Sequence, residues 1–305
     1  MRRMSALRKY IDIGANLTDD MYKGEYNGSR KHDPDLDVVL ERAWTSGINK
    51  IIVTGGSLED SKKAIELSRT DSKLFTTVGC HPTRCSEFLS NPDDYLQGLR
   101  DLISGNKDKV VAIGECGLDY ERFHFCEKEV QLKFFEKQLP LSLEYNLPLF
   151  LHCRAAADDL IEIISRNRDK IIGGVVHSFD GSEQDLQKIL ELGLSIGING
   201  CSLRSKENIE VASKMPRDKL MIETDCPWCE IKPTHPGYCH VNTKFETVKK
   251  TKYSLQRNAQ VKGRNEPVNI VNVLEVLAAV RGDDADELAA AIYENTNKMF
   301  FPDRL

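Results

Sequence analysis

Four polar residues follow short apolar runs in this sequence, and their side chains are of the types that bind divalent metal ions. They are Glu115 after residues 110–113, His152 after 149–151, His177 after 175–176 and Asp225 after 220–222. If the runs are parallel strands of one barrel, the strand ends bring the four side chains into one ring. Taken singly, a histidine after a strand is more often a hydrogen-bonded core residue or cap than a ligand, and a carboxylate there is also explained as a helix cap. Burying the two carboxylates together without a cation, however, is costly. The set therefore predicts a metal-dependent enzyme.

Other residues beyond the predicted strand ends suit an anionic substrate. His81 follows the third strand and would face the same pocket. Arg154 lies two residues past His152, and Lys206 lies beyond the seventh strand. Either base could neutralise a phosphate group, although a surface salt bridge explains each equally well.

The elements that must position these residues are eight apolar runs separated by stretches with helical spacing. The runs cover residues 10–13, 50–54, 74–78, 109–113, 147–151, 171–176, 194–198 and 219–222. Strands that alternate with helices imply crossover connections and a parallel sheet covered on both faces. Eight such units predict an α/β fold, a (β/α)8 or TIM barrel, with two further helices after Pro267.

Residues 226–265 interrupt this alternation and predict a long loop on the catalytic face, with a weak helical stretch at 245–255. The acids of the segment are Glu230 and Glu246, and its bases are Lys232, Lys244, Lys249, Lys250, Lys252, Arg257, Lys262 and Arg264. This local positive charge, in a chain whose formal net charge is −5, fits recognition of a polyanion. A solvated lysine-rich loop is an equally good interpretation.

Length and composition predict one barrel domain over residues 1–305. The chain has 40% hydrophobic and 29% charged residues, and barrels of this length often form one domain. We expect an intracellular protein of the nucleus, the cytoplasm or both, without membrane association, secretion or an obligate protein partner. Its nine cysteines predict reduced thiols rather than a disulfide framework.

Seven short segments make the chain resemble the TatD-related deoxyribonucleases, and in particular their eukaryotic branch. The segments are DIGANL (12–17), GCHP (79–82), GECGLDY (114–120), LHCR (151–154), VHSF (176–179), ETDCP (223–227) and RNEP (264–267). Each segment is weak evidence alone, but the seven occur in register from near residue 10 to near residue 301.

The resemblance implies a metal-dependent hydrolase with an amidohydrolase-like barrel that cleaves DNA phosphodiester bonds from the 3′ end. Endonuclease action and cleavage at abasic sites are left open as further modes. By motif position, Glu115 would be a shared or bridging ligand, and His152 and His177 would hold one cation. Asp225 would hold a second cation or act as the base on the attacking water, and His81 would contact the scissile phosphate.

The first strand departs from the pattern of many relatives, which carry His-x-His where this chain has Gly14 and Asn16. An amide oxygen is a poorer ligand than imidazole for zinc-like ions, so Asn16 is expected to be a weak metal ligand or a substrate contact. We therefore expect one or two divalent cations. Two imidazoles and two carboxylates do not distinguish Mg, Mn and Zn.

Two other functions are consistent with parts of the pattern. A hydrolase acting at the carbonyl carbon of a lactone, amide or aminoacyl ester could use the same ligand ring, because activated water attacks either centre. A small neutral substrate would not need the basic loop. A noncatalytic binding scaffold is suggested only by the missing first-strand histidines.

Overall fold

The computed structural model describes residues 8–255 and 259–302, and at its centre eight parallel strands form a nearly closed barrel. The strands are β1 (Tyr10–Ala15), β2 (Ile48–Val53), β3 (Leu74–Val78), β4 (Val110–Asp119), β5 (Leu149–Arg154), β6 (Gly174–Val176), β7 (Ser195–Ile198) and β8 (Leu220–Ile222). Each strand pairs with its predecessor in this order. The predicted (β/α)8 architecture is therefore confirmed, and the predicted strands begin close to the observed ones.

The gap between the first and last strands is bridged just beyond β8. The backbone amide of Asp225 donates to the carbonyl of Gly14 at 2.8 Å, and that of Asn16 donates to the carbonyl of Cys226 at 2.7 Å. These bonds hold the end of β1 against the chain that leaves β8. Asn16 and Asp225, more than two hundred positions apart in the sequence, are thereby brought side by side.

Among the described residues, ten α-helices surround the barrel or follow it. They are α1 (Leu36–Thr45), α2 (Leu58–Ser68), α3 (Pro92–Gly105), α4 (Lys128–Gln138), α5 (Pro140–Tyr145), α6 (Ala157–Arg166), α7 (Glu183–Glu191), α8 (Lys206–Lys214), α9 (Ile270–Arg281) and α10 (Ala285–Phe300). The two helices predicted after Pro267 are confirmed as α9 and α10. Within the described ranges, no helix has the length and apolarity needed to cross a lipid bilayer.

The interior of the barrel is filled by apolar side chains and closed at one end. The filling residues include Ile11, Ile13, Ile52, Phe75, Val111, Phe150, Val175 and Met221. Phe301, which follows α10, packs edge-on against Phe75 near the amino end of β3, with ring centroids 4.8 Å apart. Because α10 thus covers the amino-terminal opening, the carboxyl ends of the strands are left for chemistry.

The long loop after β8 differs from its prediction. The helical stretch predicted at 245–255 is wrong, because Glu246–Val248 is a strand that pairs in parallel with Ala259–Val261. Of its predicted basic residues, Arg257 lies outside the described residues. Arg264 is fully buried and is not available to a polyanion.

Arg264 instead joins the loop to the chain before α1. Its two terminal nitrogens lie 2.7 and 2.6 Å from the carboxylate oxygens of Asp35, and one of them lies 3.1 Å from Glu266 Oε1. The three side chains are inaccessible to solvent. The basic residue that the sequence suggested for substrate binding is therefore structural.

Replacing Arg264 with methionine should lower the free energy of unfolding by about 3–5 kcal/mol, because it leaves the buried carboxylate of Asp35 without its guanidinium partner, whereas Glu266 keeps Arg42 at 2.9 Å. Urea denaturation followed by circular dichroism measures the change. Arg217→Met is the matched control, since Arg217 is solvent-exposed and pairs with Asp283 at the surface, and it should leave the midpoint almost unchanged. Equal midpoints for the two variants would contradict the structural role.

Candidate metal centre

Glu115 lies at the centre of a cluster of imidazoles at the carboxyl end of the barrel. Its Oε1 is 2.7 Å from His152 Nδ1, 2.8 Å from His177 Nε2 and 3.4 Å from His81 Nε2. His152 Nδ1 and His177 Nε2 are 3.4 Å apart. The structure thus brings together three of the four residues in the predicted ring.

Two carboxylates face the far nitrogens of the two central imidazoles. Asp119 Oδ2 lies 3.2 Å from His152 Nε2, and Glu223 Oε1 lies 3.3 Å from His177 Nδ1. Both carboxylates are fully buried. A neutral histidine that donates one ring N–H to such a carboxylate presents its other nitrogen as a ligand. The pairing therefore aims His152 Nδ1 and His177 Nε2 at Glu115.

The charges of this cluster are shifted by mutual contact. Burial alone would raise the pKa of Glu115, yet that pKa lies well below its ordinary value because His177 and His81 favour the carboxylate. Burial opposes the charged form of His177, but Glu115 and Glu223 raise its pKa well above the ordinary value. The cluster therefore stabilises a positive charge between its carboxylates.

The donor atoms fit a divalent cation in type and spacing. Ligand atoms around a small divalent ion lie about 3.0–3.4 Å apart, and Glu115 Oε1, His152 Nδ1 and His177 Nε2 are separated by 2.7–3.4 Å. The three side chains form one of two groups among the described residues that could hold a metal; the other is His81, Asp119 and His152. Since one neutral imidazole offers only one lone pair, the two groups compete for His152. Its Nε2 already faces Asp119, which favours the group around Glu115.

The structure explains why residue 14, near the end of β1, is glycine where many relatives carry histidine. A Cβ at residue 14 would lie 2.6 Å from Glu223 Oε2 and 2.9 Å from the ring of Phe150. Glu223 Oε2 is buried and has no hydrogen-bond partner among residues 8–255 and 259–302. A histidine at this position would displace the carboxylate that faces His177. The Glu223 carboxylate therefore occupies the space that a side chain at residue 14 would need.

Asp225 lies beside the three-residue cluster, and its place in the predicted ring of four stays a prediction. Its Oδ1 accepts a hydrogen bond from Asn16 Nδ2 at 2.9 Å, and its Oδ2 accepts one from the Cys229 thiol at 3.2 Å. Asp225 belongs to neither group of metal-ligand atoms that lie within 4.8 Å of one another in the described residues. Burial raises the pKa of its carboxyl to about 6.

Cysteine residues line the same region as free thiols. Cys229 Sγ lies 2.7 Å from Cys201 Sγ, whereas Cys226 is fully buried. All nine cysteines of the chain are free. The Cys229 thiol therefore contacts both Cys201 and Asp225, while Cys226 belongs to the core.

A cavity of about 960 Å³ opens at Glu115. It is lined by all the other predicted site residues except Lys206, namely Asn16, His81, Arg154 and Asp225. Its basic lining residues are Lys23, Lys63, Arg84, Arg122, Arg154 and Arg204. Lys206 is the exposed first residue of α8 and is not among the lining residues, because the chain turns at Ser205, the N-cap of that helix. Arg204, which sequence reasoning missed, lines the cavity in its place.

His81 is held in one orientation at the edge of this cavity. Its Nδ1 accepts a hydrogen bond from the Thr83 backbone amide at 3.2 Å and lies 2.7 Å from Thr83 Oγ1. Burial lowers its pKa to about 3, so the ring is neutral and carries its proton on Nε2. His81 therefore presents an N–H donor toward the side of the cavity where Glu115 lies.

Comparison with known proteins identifies the family. A family model described as TatD related DNase matches residues 11–301. The chain belongs to the TatD-related deoxyribonuclease family. "Deoxyribonuclease Tat-D" of Schizosaccharomyces pombe is 40% identical over 94% of each chain, and "3'-5' ssDNA/RNA exonuclease TatD" of Citrobacter rodentium is 33% identical over 95% of this chain and 97% of that one. The crystal structure of a hydrolase TatD family protein from Entamoeba histolytica superposes with a TM-score of 0.92, at 43% identity over 98% of this chain and 100% of that one.

Membership of the TatD-related family confirms the resemblance drawn from the seven sequence segments. It also confirms the amidohydrolase-like TIM barrel and gives the Glu115 cluster its setting, a metal-dependent hydrolase fold. Asp119 lies within the GECGLDY segment and Glu223 within ETDCP. Both carboxylates therefore lie in sequence segments that had already been singled out. Only the folded geometry shows which imidazole each of them faces.

Removing either carboxylate should weaken metal binding to this TatD-family chain. Asp119→Ala and Glu223→Ala are each expected to lower the affinity for Mn²⁺ by about 10- to 100-fold, because the imidazole loses the partner that orients it. Isothermal titration calorimetry on the metal-free protein measures the change. Asp180→Asn is the control, since Asp180 lines the same cavity but its carboxylate faces Arg154, 4.0 Å away. Affinities unchanged in both alanine variants would contradict the orienting role.

Proposed function

We propose that this chain is a metal-dependent deoxyribonuclease that hydrolyses phosphodiester bonds with activated water. The observation that carries the proposal is the convergence of Glu115 Oε1, His152 Nδ1 and His177 Nε2 within 3.4 Å of one another. The names of two relatives, a deoxyribonuclease and a 3'-5' ssDNA/RNA exonuclease, support cleavage from the 3′ end. Endonuclease action and abasic-site cleavage remain further modes to test.

Glu115, His152 and His177 would hold one cation, and if a second cation binds, Asp225 would hold it with Asn16 beside it. A bound divalent cation supplies a lowered pKa for the attacking water and neutralises charge on the nonbridging phosphate oxygens. One carboxylate and two imidazoles are acceptable to Mg, Mn and Zn alike. The proposal therefore commits to the site and not to the metal.

Asp225 is the proposed general base. Its pKa, raised by burial to about 6, suits a group that must accept a proton near neutral pH. Asn16 fixes one oxygen of the carboxylate at 2.9 Å, which leaves the orientation of the group settled before substrate binds. The same carboxylate can take the water proton and release it to solvent.

The phosphate would be bound by other residues that line the cavity. His81 offers a neutral N–H, and Arg154 and Arg204 offer positive charge. Arg154 lies 3.5 Å from Glu121 Oε2 and 4.0 Å from Asp180 Oδ2, both longer than a close ion pair. Its guanidinium therefore has N–H groups that can donate hydrogen bonds to a phosphate.

Oligonucleotides labelled at the 5′ end test the reaction. With Mg²⁺ or Mn²⁺, a single-stranded substrate should shorten stepwise, and a phosphorothioate linkage at its 3′ end or excess chelator should stop the reaction. A lactone, an amide and an aminoacyl ester should remain intact. Hydrolysis of one of these carbonyl substrates with intact DNA would replace the proposal by the carbonyl hydrolase.

The salt dependence of binding separates the same two functions. Binding of a fluorescent single-stranded oligonucleotide to the Glu115→Gln protein should weaken steeply with salt, because each neutralised phosphate contributes roughly −0.7 to the slope of log K against log salt. Fluorescence anisotropy between low and moderate salt gives this slope. A flat response would favour a small neutral substrate.

A further inference from the structure

Two exposed aromatic side chains stand at the cavity that contains the proposed metal centre. Trp228 is 50% exposed and Phe125 is 60% exposed, and both line the cavity. The other large apolar side chains exposed in the described residues do not line it; they are Leu89, Phe123, Leu143, Ile172 and Leu255. The exposed apolar residues at this cavity are thus both aromatic.

The backbone of Trp228 is fixed although its ring is exposed. Its amide donates to the carbonyl of Asp225 at 3.0 Å, and its carbonyl accepts a hydrogen bond from Asn265 Nδ2 at 2.7 Å. Asn265 is itself buried. The ring is therefore presented to the cavity from a rigid support, which lowers the entropy lost when a planar group stacks on it.

Trp228 also lines a second cavity, of about 720 Å³, which adjoins the first. Three lysines of the loop after β8 line this second cavity: Lys249, Lys250 and Lys262. Its acids are Asp19, which accepts a hydrogen bond from the Met21 backbone amide at 2.8 Å, Asp20, which is paired with Lys23 at 2.7 Å, and Glu25, which is paired with Arg30 at 3.7 Å. Because each acid has a partner other than these three lysines, the lysines supply positive charge to the cavity.

We infer that Trp228 and Phe125 are the surfaces on which the bases beside the reacting phosphate of a single-stranded substrate stack, while the continuing backbone passes along the lysines of the second cavity. This inference rests on the proposed function. A base can stack on a protein ring only when its own face is free, so a paired and stacked duplex would not engage both rings. Exposed aromatic rings beside a basic groove are the usual combination for single strands.

Stacking on aromatic rings also predicts how strongly the site discriminates between base sequences. Every base has a π face, so Trp228 and Phe125 would accept any base without reading its hydrogen-bonding edge. The two rings therefore predict little sequence preference for the bases beside the reacting phosphate.

Fluorescence of Trp228 tests the stacking directly. The chain has two tryptophans, so the Trp44→Phe change, combined with Glu115→Gln to prevent cleavage, leaves Trp228 as the only reporter. A single-stranded oligonucleotide should quench its emission, and a blunt duplex of the same sequence should quench it far less at equal occupancy. Equal quenching by both, or none by the single strand when anisotropy shows it bound, would overturn the inference.

Substrates without bases separate stacking from chemistry. In the otherwise wild-type enzyme, Trp228→Ala and Phe125→Ala should each raise KM for a single-stranded oligonucleotide by about 5- to 150-fold, and Trp228→Phe should restore most of the loss. The effect should disappear on an oligonucleotide that is abasic on both sides of the reacting phosphodiester. Phe123→Ala is the matched control, because Phe123 is 42% exposed but does not line the cavity.

The outcomes distinguish this inference from the function on which it rests. If the wild-type enzyme cleaves neither substrate, the proposed function fails. If it cleaves both, two results contradict the stacking alone. In one, the alanine variants raise KM equally on the abasic and the normal substrate; in the other, they raise KM on neither. Replacing Lys249, Lys250 and Lys262 together by alanine should reduce the salt slope by roughly 2, whereas the exposed Lys252 outside the second cavity provides a control that should not change it.

Discussion

Replacing Glu115 with glutamine is expected to reduce DNA cleavage by about 10³-fold or more while leaving the fold intact. Glu115 Oε1 lies within 2.8 Å of two imidazole nitrogens that are aimed at it. Glutamine has nearly the same shape but no negative charge, so the cluster would lose its one central anion. The measurement is the rate of oligonucleotide cleavage at saturating Mn²⁺, with the metal content of the purified protein determined in parallel.

Two comparisons make this result specific. Glu121→Gln changes a mostly exposed acid that lies beside Arg154 and should keep close to wild-type activity. Chelation of the wild-type protein should reproduce the loss, and added Mn²⁺ should restore the wild-type protein but not Glu115→Gln. A Glu115→Gln protein that cleaves at the wild-type rate would remove Glu115 from the reaction.

The features predicted correctly from the sequence are those fixed by local pattern. Glu115, His152 and His177 each follow an apolar run, and in a parallel barrel the carboxyl ends of all such runs meet at one rim. Backbone topology alone therefore places the three residues together. The same argument holds for α9 and α10, whose apolar spacing is regular along the chain.

The details that the sequence could not provide depend on side-chain direction or on distant partners. Asp225 follows its strand as His177 does, but backbone bonds to β1 and hydrogen bonds from Asn16 and Cys229 turn it beside the cluster. Lys206 and Arg204 are two positions apart, and only the start of α8 decides which one reaches the cavity. No local pattern contains that information.

The loop after β8 shows the same limit at the level of the backbone. Glu246–Val248 is a strand because it pairs with Ala259–Val261, a partner that local helical propensity does not detect. Arg264 looked like one more base of a solvated loop, yet the distant Asp35 encloses it. Charge counted along a sequence therefore overstates the charge that a substrate meets.

The position of Asp225 outside the Glu115 cluster leads to the second large effect. Asp225→Asn should lower kcat by about 10²–10⁴-fold, the usual contribution of a general base. Because Asp225 is not one of the ligand atoms grouped around Glu115 in the described residues, the affinity of that group for Mn²⁺ should change little. Turnover measured with saturating DNA, and calorimetric titration with Mn²⁺, give the two quantities separately.

Asn16→Ala provides the companion test, because it leaves the base in place and removes the amide that holds Asp225 Oδ1 at 2.9 Å. It should lower kcat less than Asp225→Asn does, since the carboxylate remains but loses its fixed orientation. Mn²⁺ affinity distinguishes the two roles of Asp225, because losing a metal ligand lowers that affinity and losing a general base does not. If Asp225→Asn abolished tight Mn²⁺ binding as Glu115→Gln does, Asp225 would be a ligand of the main site, and the general base would have to be sought elsewhere in the cavity.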